Sequence, residues 1–396
     1  MNTIAITDFF LQGLKKLERK FLSAPYAALA KELNEFEAAG YLYQELPDLG
    51  ARPKILIFKP DDIGDAVYAL PAVKKLRDRF PDAEIHVICQ KKTAPIFLAS
   101  GLFDKIAPVD VRAIFIRFQS LDLDAALKQL GEPQYDAAFF LRTYPAFFPL
   151  FQKLPARLLI QPKDPRMGSL SPWQAYVSQW GKRRAHQAEQ MLEIVARATG
   201  EHYGDADVVF PKFTFKEKDL AAVEKTFGTD SPGPYVVIHP YARFETRRYP
   251  YEYWRDLLSK LRTEFPEVKW VITGGKEDPS LGIPGVVEMQ GKLRLGETGV
   301  LLSRATAFLG NESGPGHWAA AMGKPVVTLL SGHSHVSEWG VWGSEKLNVK
   351  KDVPCQNCYL RACPKEKVKC LTGLTPELIA PQIRDFLRGH VAAALA

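Results

Sequence analysis

The sequence has no run of about 18 uncharged apolar residues, the length a helix needs to cross a bilayer. Its richest apolar stretch, Tyr144 to Leu154, is short and carries two prolines. The chain does not open as a secretory leader either. Met1 to Leu14 holds Asp8 and the polar Asn2, Thr3 and Gln12, with no basic start before an apolar run. These absences predict a cytoplasmic protein whose only membrane contact is peripheral docking on the inner membrane. There is no short-period repeat and no long low-complexity tract, which sets solenoids and disordered arrays aside. No G-x-G-x-x-G follows the first predicted strand, which disfavours a dinucleotide oxidoreductase. Cysteine is scarce, with five in 396 residues. Cys89 stands alone, whereas Cys355, Cys358, Cys363 and Cys370 crowd one segment.

What is present is ample core material. Hydrophobic residues make up 46% and charged residues 24% of the chain, enough for two domains of ordinary size. The formal net charge of +7 fits an anionic partner: nucleotide, phosphorylated glycan, nucleic acid or membrane surface. A well-solvated surface accounts for it equally well.

Residues 1 to about 50 read as a helical N-terminal extension. Phe9, Phe10, Leu14 and Leu17, then Leu29, Leu33 and Phe36, recur at three- to four-residue spacing. At Lys54 the grammar changes. "KILIFKP" is a strand, "DDIGD" a turn, Ala66 to Phe80 an amphipathic helix and "AEIHVIC" a strand, which makes a parallel crossover unit. A helix around Leu121 to Leu130, the strand "YDAAFFL" and a helix near His186 to Thr199 complete a first domain over 51–227. After "GTDSPGP" the pattern restarts for a second domain over 235–375. There "YVVIHP", "KWVITGG", "ATAFLGN" and "PVVTLL" are strands, and Tyr251 to Phe265 and Gly316 to Met322 are helices. The fold class is therefore α/β, two Rossmann-like doubly wound domains facing a cleft. A closing helix, Pro376 to Leu387, in a final segment 376–396, is expected to pack back on the first domain.

Five motifs carry chemistry. In "KPDDIGDAVYALPAV", Lys59 to Asp65 lie at a strand's carboxyl end, where parallel α/β sheets bind ligands. Asp65 there reads in two ways, as the helix N-cap or as a general base for a hydroxyl nucleophile. In "IHPYARFETRRYPYEYW", Arg243, Arg247 and Arg248 crowd the loop after the next domain's first strand, with forks that match phosphate oxygens. A solvated basic loop is the plainer reading. In "TGGKEDP", Gly274 and Gly275 admit a close ligand and Glu277 can accept from ribose hydroxyls, although a Gly-Gly turn occurs in many loops without a ligand. In "LGNESGPGHWAAAMGKPVV", Asn311, Glu312, Ser313 and Gly314 lead into a helix whose free N–H groups form an anion site. Ser313 adds a hydroxyl. His317 is either a packed core histidine or a ligand contact. Last, C-x2-C-x4-C-x6-C can supply four thiolates to a structural zinc or iron, but its second half is not another C-x2-C. Disulfides and free thiols stay open.

These motifs in this order resemble the lipopolysaccharide heptosyltransferases, glycosyltransferase family 9, which are inverting transferases of the GT-B fold. The resemblance runs from about Lys54 to Leu378. "IGDAVYALPA" is similar to the family's opening motif and makes Asp65 the base. "YDAAFFLR" resembles a family strand, with departures at Phe140 and Arg142. Lys59 and Arg142 are the acceptor-side candidates. "HPYARFETRRYP" resembles the basic loop and maps its phosphate-binding cation to Arg247. "TGGKED" puts Glu277 at the adenosine ribose. "GNESGPGHWAAAMGKPVV" is the most specific match and places Glu312, Ser313, Gly314 and His317 on the donor side, with Glu312 where the family usually has Asp. "LSGHSHVSEWG" replaces the family's Gly-Pro-Thr turn, and the cysteine-rich tail resembles that of many members.

The resemblance implies single displacement, in which a heptose moves from an ADP-heptose donor to a lipopolysaccharide core glycan with inversion. It implies no cofactor for catalysis and no nucleic-acid partner. The metal, if held, is then structural. Two other readings fit the sequence: a relative that modifies protein Ser/Thr, and a non-catalytic nucleotide-sugar-binding protein. Asp65 and the basic loop together weigh against mere binding.

Overall fold

The computed structural model describes residues 46–115, 118–131, 133–141, 147–160, 186–227, 233–343, 345–365 and 367–395. The helices expected before residue 46, and Arg142, lie outside them. In chain order the first half contains β1 (Lys54–Lys59), α1 (Ile63–Arg79), β2 (Glu84–Gln90), α2 (Ala94–Ser100), β3 (Lys105–Val109), the hairpin β4 (Arg112–Phe115) and β5 (Phe118–Ser120), α3 (Leu123–Leu130), β6 (Tyr135–Phe140), β7 (Ala156–Ile160), α4 (Gln187–Ala198) and α5 (Glu217–Phe227). The second half contains β8 (Tyr235–His239), α6 (Tyr251–Glu264), β9 (Lys269–Ile272), β10 (Val287–Glu288), α7 (Leu295–Arg304), β11 (Ala307–Asn311), α8 (Gly314–Ala321), β12 (Val326–Leu330), α9 (Val336–Trp339), β13 (Lys346–Lys350) and α10 (Pro376–Leu395).

Each half is an all-parallel sheet, ordered β3-β2-β1-β6-β7 in the first and β10-β9-β8-β11-β12-β13 in the second. Chain direction across the sheet reverses beside β1 and beside β8. Those are the switch points where crevices open at the strands' carboxyl ends. The interior strands are largely apolar because both faces are covered. Ile55 and Ile57 of β1 enter one core while Leu56 and Phe58 enter another. In β8, Tyr235 and Val237 face inward, and Val236 and Ile238 outward.

Three apolar layers result. One covers the outer face of the first sheet and includes α3. One covers the outer face of the second sheet and includes α6 and α10. The middle layer is continuous, running from Ile55 and Val67 through Trp318 to Phe308 and Val237, so the two halves share a core. The closing helix departs from expectation. It extends to Leu395 and buries Ile379, Ile383, Leu387 and Val391 with Trp254, Leu258 and Leu261 of α6. Its four-residue apolar spacing is satisfied within the second half, not on the first. Among the described residues no helix is long and apolar enough to cross a membrane.

Candidate active site

The first wall of the site follows β1. Lys59 is fully buried. Its Nζ pairs with Asp61 Oδ2 at 2.7 Å and donates to the Leu141 carbonyl at 2.8 Å. It thereby ties the β1 loop to the end of β6, beneath the cleft surface. The N-cap of α1 is Asp62, in extended backbone. Asp65 is the third residue of the helix, partly exposed in the first turn, and is not its N-cap. Asp62 accepts from Lys92 and, at 2.6 Å, from Arg243 of the other half. Burial pushes the Asp62 carboxyl up, but these two cations outweigh it and hold the group below the usual range.

The N-termini of α1 and α8 abut. A Cβ on Gly314 would lie 2.5 Å from Cβ and Cγ2 of Ile63, and one on Gly64 would lie 2.9 Å from Cδ2 of His317. Two glycines therefore permit the contact. His317 is buried and its Nδ1 lies 2.6 Å from the Tyr68 hydroxyl, which donates to the Gly340 carbonyl at 2.8 Å. The single hydroxyl proton goes to the carbonyl, so Nδ1 carries the ring proton and donates to the Tyr68 oxygen. His186 caps α4, accepts from Ala188 N–H at Nδ1 and donates from Nε2 to the same Gly340 carbonyl at 2.7 Å. Desolvation pushes His317 down to about 3, helped by the His186 and Arg247 charges. It likewise pushes His186 down to about 4. Both rings are neutral near pH 7. Tyr68 lies in the same motif as Asp65, but its residue type alone does not mark it as a partner of His317; His186 belongs to no glycine-rich loop.

The second wall is the basic loop after β8, held at both ends by the buried Asn311. Its amide donates to Pro240 O at 2.7 Å and its Oδ1 accepts from Tyr249 N–H at 3.3 Å. Glu312, buried, accepts from Ser334 at 3.1 Å and pairs with Arg247 Nη1 at 3.5 Å. Two buried donors at this spot have no partner among the described residues, Arg247 Nε and Ser313 Oγ. Such groups cost about 1–3 kcal/mol each when left unmet, and both adjoin the N-terminus of α8. Arg248 instead donates to Ala242 O. Glu277 is exposed on the turn after β9; its neighbour Asp278 takes the Gly275 N–H at 2.7 Å. Gly274 is the close-approach glycine of that turn, since a Cβ there would meet the Tyr241 ring at 2.5 Å. The structure thus brings Asp65, Glu312, Ser313, Gly314, His317 and Arg247 to one junction. Glu277 sits on the neighbouring strand end, and Lys59 lies below.

Cys355, Cys358, Cys363 and Cys370 are free thiols. Among the described residues no three thiol, imidazole or carboxylate groups are gathered to hold a metal. Backbone hydrogen bonds order the loop. Cys358 N–H donates to Gly332 O at 3.3 Å and Tyr359 N–H to His333 O at 2.9 Å, while Lys365 Nζ faces Cys355 Sγ at 3.4 Å. Burial, and then the neighbouring Cys355, push the Cys358 thiol up.

Two Rossmann-like halves meeting through paired helix N-termini, one ringed by a guanidinium and a hydroxyl, define a glycosyltransferase of the GT-B architecture. The chain belongs to glycosyltransferase family 9 (heptosyltransferase), whose model matches residues 124–369. It is 22% identical over 369 residues to lipopolysaccharide heptosyltransferase 1 of Pseudomonas aeruginosa, covering 84% of this chain and 98% of that one. It is 23% identical over 342 residues to lipopolysaccharide heptosyltransferase 3 of Escherichia coli, covering 79% and 96%. Among solved structures, E. coli heptosyltransferase WaaC with ADP superposes with a TM-score of 0.59 at 17% identity, covering 84% of this chain and 99% of that one. That likeness concerns the fold.

Proposed function

We propose that this enzyme transfers a heptose from ADP-heptose to a lipopolysaccharide core glycan with inversion at the anomeric carbon. Family membership and the named activities of the relatives support the donor and the acceptor class; they favour a glycan over a protein acceptor. The observation that carries the reading is the meeting of α1 and α8. A carboxylate on one helix N-terminus faces an anion-binding helix N-terminus on the other.

In this mechanism Asp65 takes the proton of the acceptor hydroxyl. The freed oxygen attacks the anomeric carbon as the bond to the diphosphate oxygen breaks on the opposite face. Negative charge then grows on the departing ADP. Arg247 Nε, the Ser313 hydroxyl and the free N–H groups of Gly314 and Gly316 meet it, preoriented in a water-poor junction. Glu312 holds the Arg247 fork, and Glu277 is assigned to the ribose hydroxyls. Neutral His317 adds no competing charge. These groups supply the required charge stabilisation without a cofactor. Lys59 acts on the acceptor wall by fixing the β1 loop to Leu141. We place the reaction in the cytoplasm at the inner-membrane face, where a lipid-anchored acceptor is met peripherally.

The test is incubation with ADP-heptose and a heptose-deficient core oligosaccharide. The product is read by mass spectrometry and its anomeric configuration by NMR. A heptose-extended glycan of inverted configuration is expected. Turnover of a different sugar nucleotide in preference to ADP-heptose overturns the donor assignment.

A further inference from the structure

We propose that Arg361, carried by the cysteine-rich loop, is a second diphosphate-binding arginine of the donor site. This rests on the donor assignment above. The observation is a convergence of like charge on one ring. The guanidinium carbons of Arg247 and Arg361 each lie 5.5 Å from the Phe244 ring centroid, and that of Arg243 lies at 5.7 Å. The Arg247 and Arg361 carbons are therefore separated by twice 5.5 Å at most. Three cations so close repel one another unless anions answer them. Arg243 has Asp62, and Arg247 has Glu312. Arg361 pairs with no carboxylate among the described residues. With Lys92 also drawn to Asp62, the cluster carries a surplus of positive charge beside the unmet Arg247 Nε and Ser313 Oγ. A diphosphate, with its two bridged anionic groups, matches both the surplus and its spread.

The chain invests in holding Arg361 there. The Thr246 hydroxyl donates to Leu360 O at 2.5 Å and Thr246 N–H to Arg361 O at 3.5 Å. These bonds fix the loop to the same short turn, Glu245–Arg247, that presents Arg247. Asn357 and Tyr359 both take positive φ, 61° and 50°, a conformation that costs free energy in non-glycine residues. Tyr359 is tied down by its hydroxyl donating to Glu338 at 2.7 Å. A tail needed only for solubility has no reason to be clamped onto the phosphate loop.

The test is Arg361→Ala, with Arg361→Lys beside it. Arg361 is exposed, so thermal melting is expected to stay at the wild-type value. The KM for ADP-heptose and the inhibition constants of ADP and inorganic pyrophosphate should each rise about tenfold or more, the scale of a charge-assisted hydrogen bond. The acceptor KM should not move. Lysine should recover part of the loss, keeping the charge without the fork. Wild-type inhibition by both ADP and pyrophosphate in Arg361→Ala overturns the proposal, as does a rise confined to the acceptor KM. Should the wild type fail to turn over ADP-heptose yet bind pyrophosphate in an Arg361-dependent way, the donor sugar is misassigned and the arginine site stands.

Discussion

At Gly314 the requirement is space, not backbone freedom. Its φ is not in the left-handed region, but an added methyl would lie 2.5 Å from Ile63. Gly314→Ala should force α1 and α8 apart. Overpacking of this kind costs about 1–3 kcal/mol, so the melting temperature should drop and kcat/KM should fall at least tenfold. Unchanged turnover in that variant would show that the contact between the helices is not needed for transfer. Asp65 offers the complementary experiment. Asp65→Asn keeps size and removes the proposed base, so kcat should fall about a hundredfold or more. ADP affinity by calorimetry should stay within twofold of wild type, because Asp65 stands on the acceptor wall. The residues that meet here were partly legible in the sequence. Asp65, Arg247, Ser313 and Gly314 lie beside strand ends that an apolar run betrays. The pairings of Tyr68, His186 and Arg361 were not legible. Their partners are far along the chain, as Leu360 is from Thr246, and nothing local records the pairing.

Among the elements, the strands legible as apolar runs were β1, β2, β6, β8, β9, β11 and β12, all interior to their sheets. Within the two parallel sheets, the four that were not, β3, β7, β10 and β13, are the four sheet edges. An edge strand has only one paired side and tolerates charge. The edges also offer little apolar run to read: β10 is two residues long, and "KLNVK" breaks its apolar residues with Asn348. Between helices, the chain from His317 through Tyr68 and Gly340 to His186 fixes a pH response. The folded rings hold pKa values of about 3 and 4 against about 6.5 unfolded. The unfolded chain therefore binds protons first as pH falls. Stability from this source is complete above pH 6.5 and is lost progressively toward pH 4, at roughly 1.4 kcal/mol per unit for each ring. His186→Gln should flatten the fall of melting temperature between pH 6.5 and 4.5, and an equally steep fall in the variant counts against the assignment. The cysteine-rich loop is fastened to Gly332, His333 and Thr246 by hydrogen bonds. Dialysis against a chelator should leave the donor KM unchanged. A rise would mean that the four thiols gather around an ion and that this ion positions Arg361.

Over the whole molecule two kinds of contact join the halves, and their magnitudes differ. The Asp62–Arg243 pair bridges the mouth, but Arg243 is 62% exposed, and such pairs contribute no more than about 1 kcal/mol and weaken in salt. The floor is a shared apolar core, with each buried side chain contributing about 1.5–3 kcal/mol. The core, not the clasp, decides how the halves sit. One oxygen then limits how they can move. The Gly340 carbonyl, from the second half, accepts from Tyr68 and from His186 of the first. Pulling the halves straight apart would strand both donors in a place that water does not reach. Tilting about that carbonyl as a pivot keeps both bonds, moves the outer rim farthest and leaves the inner seam shut. Rocking of one half on the other about Gly340 is therefore the opening that these two bonds would tolerate.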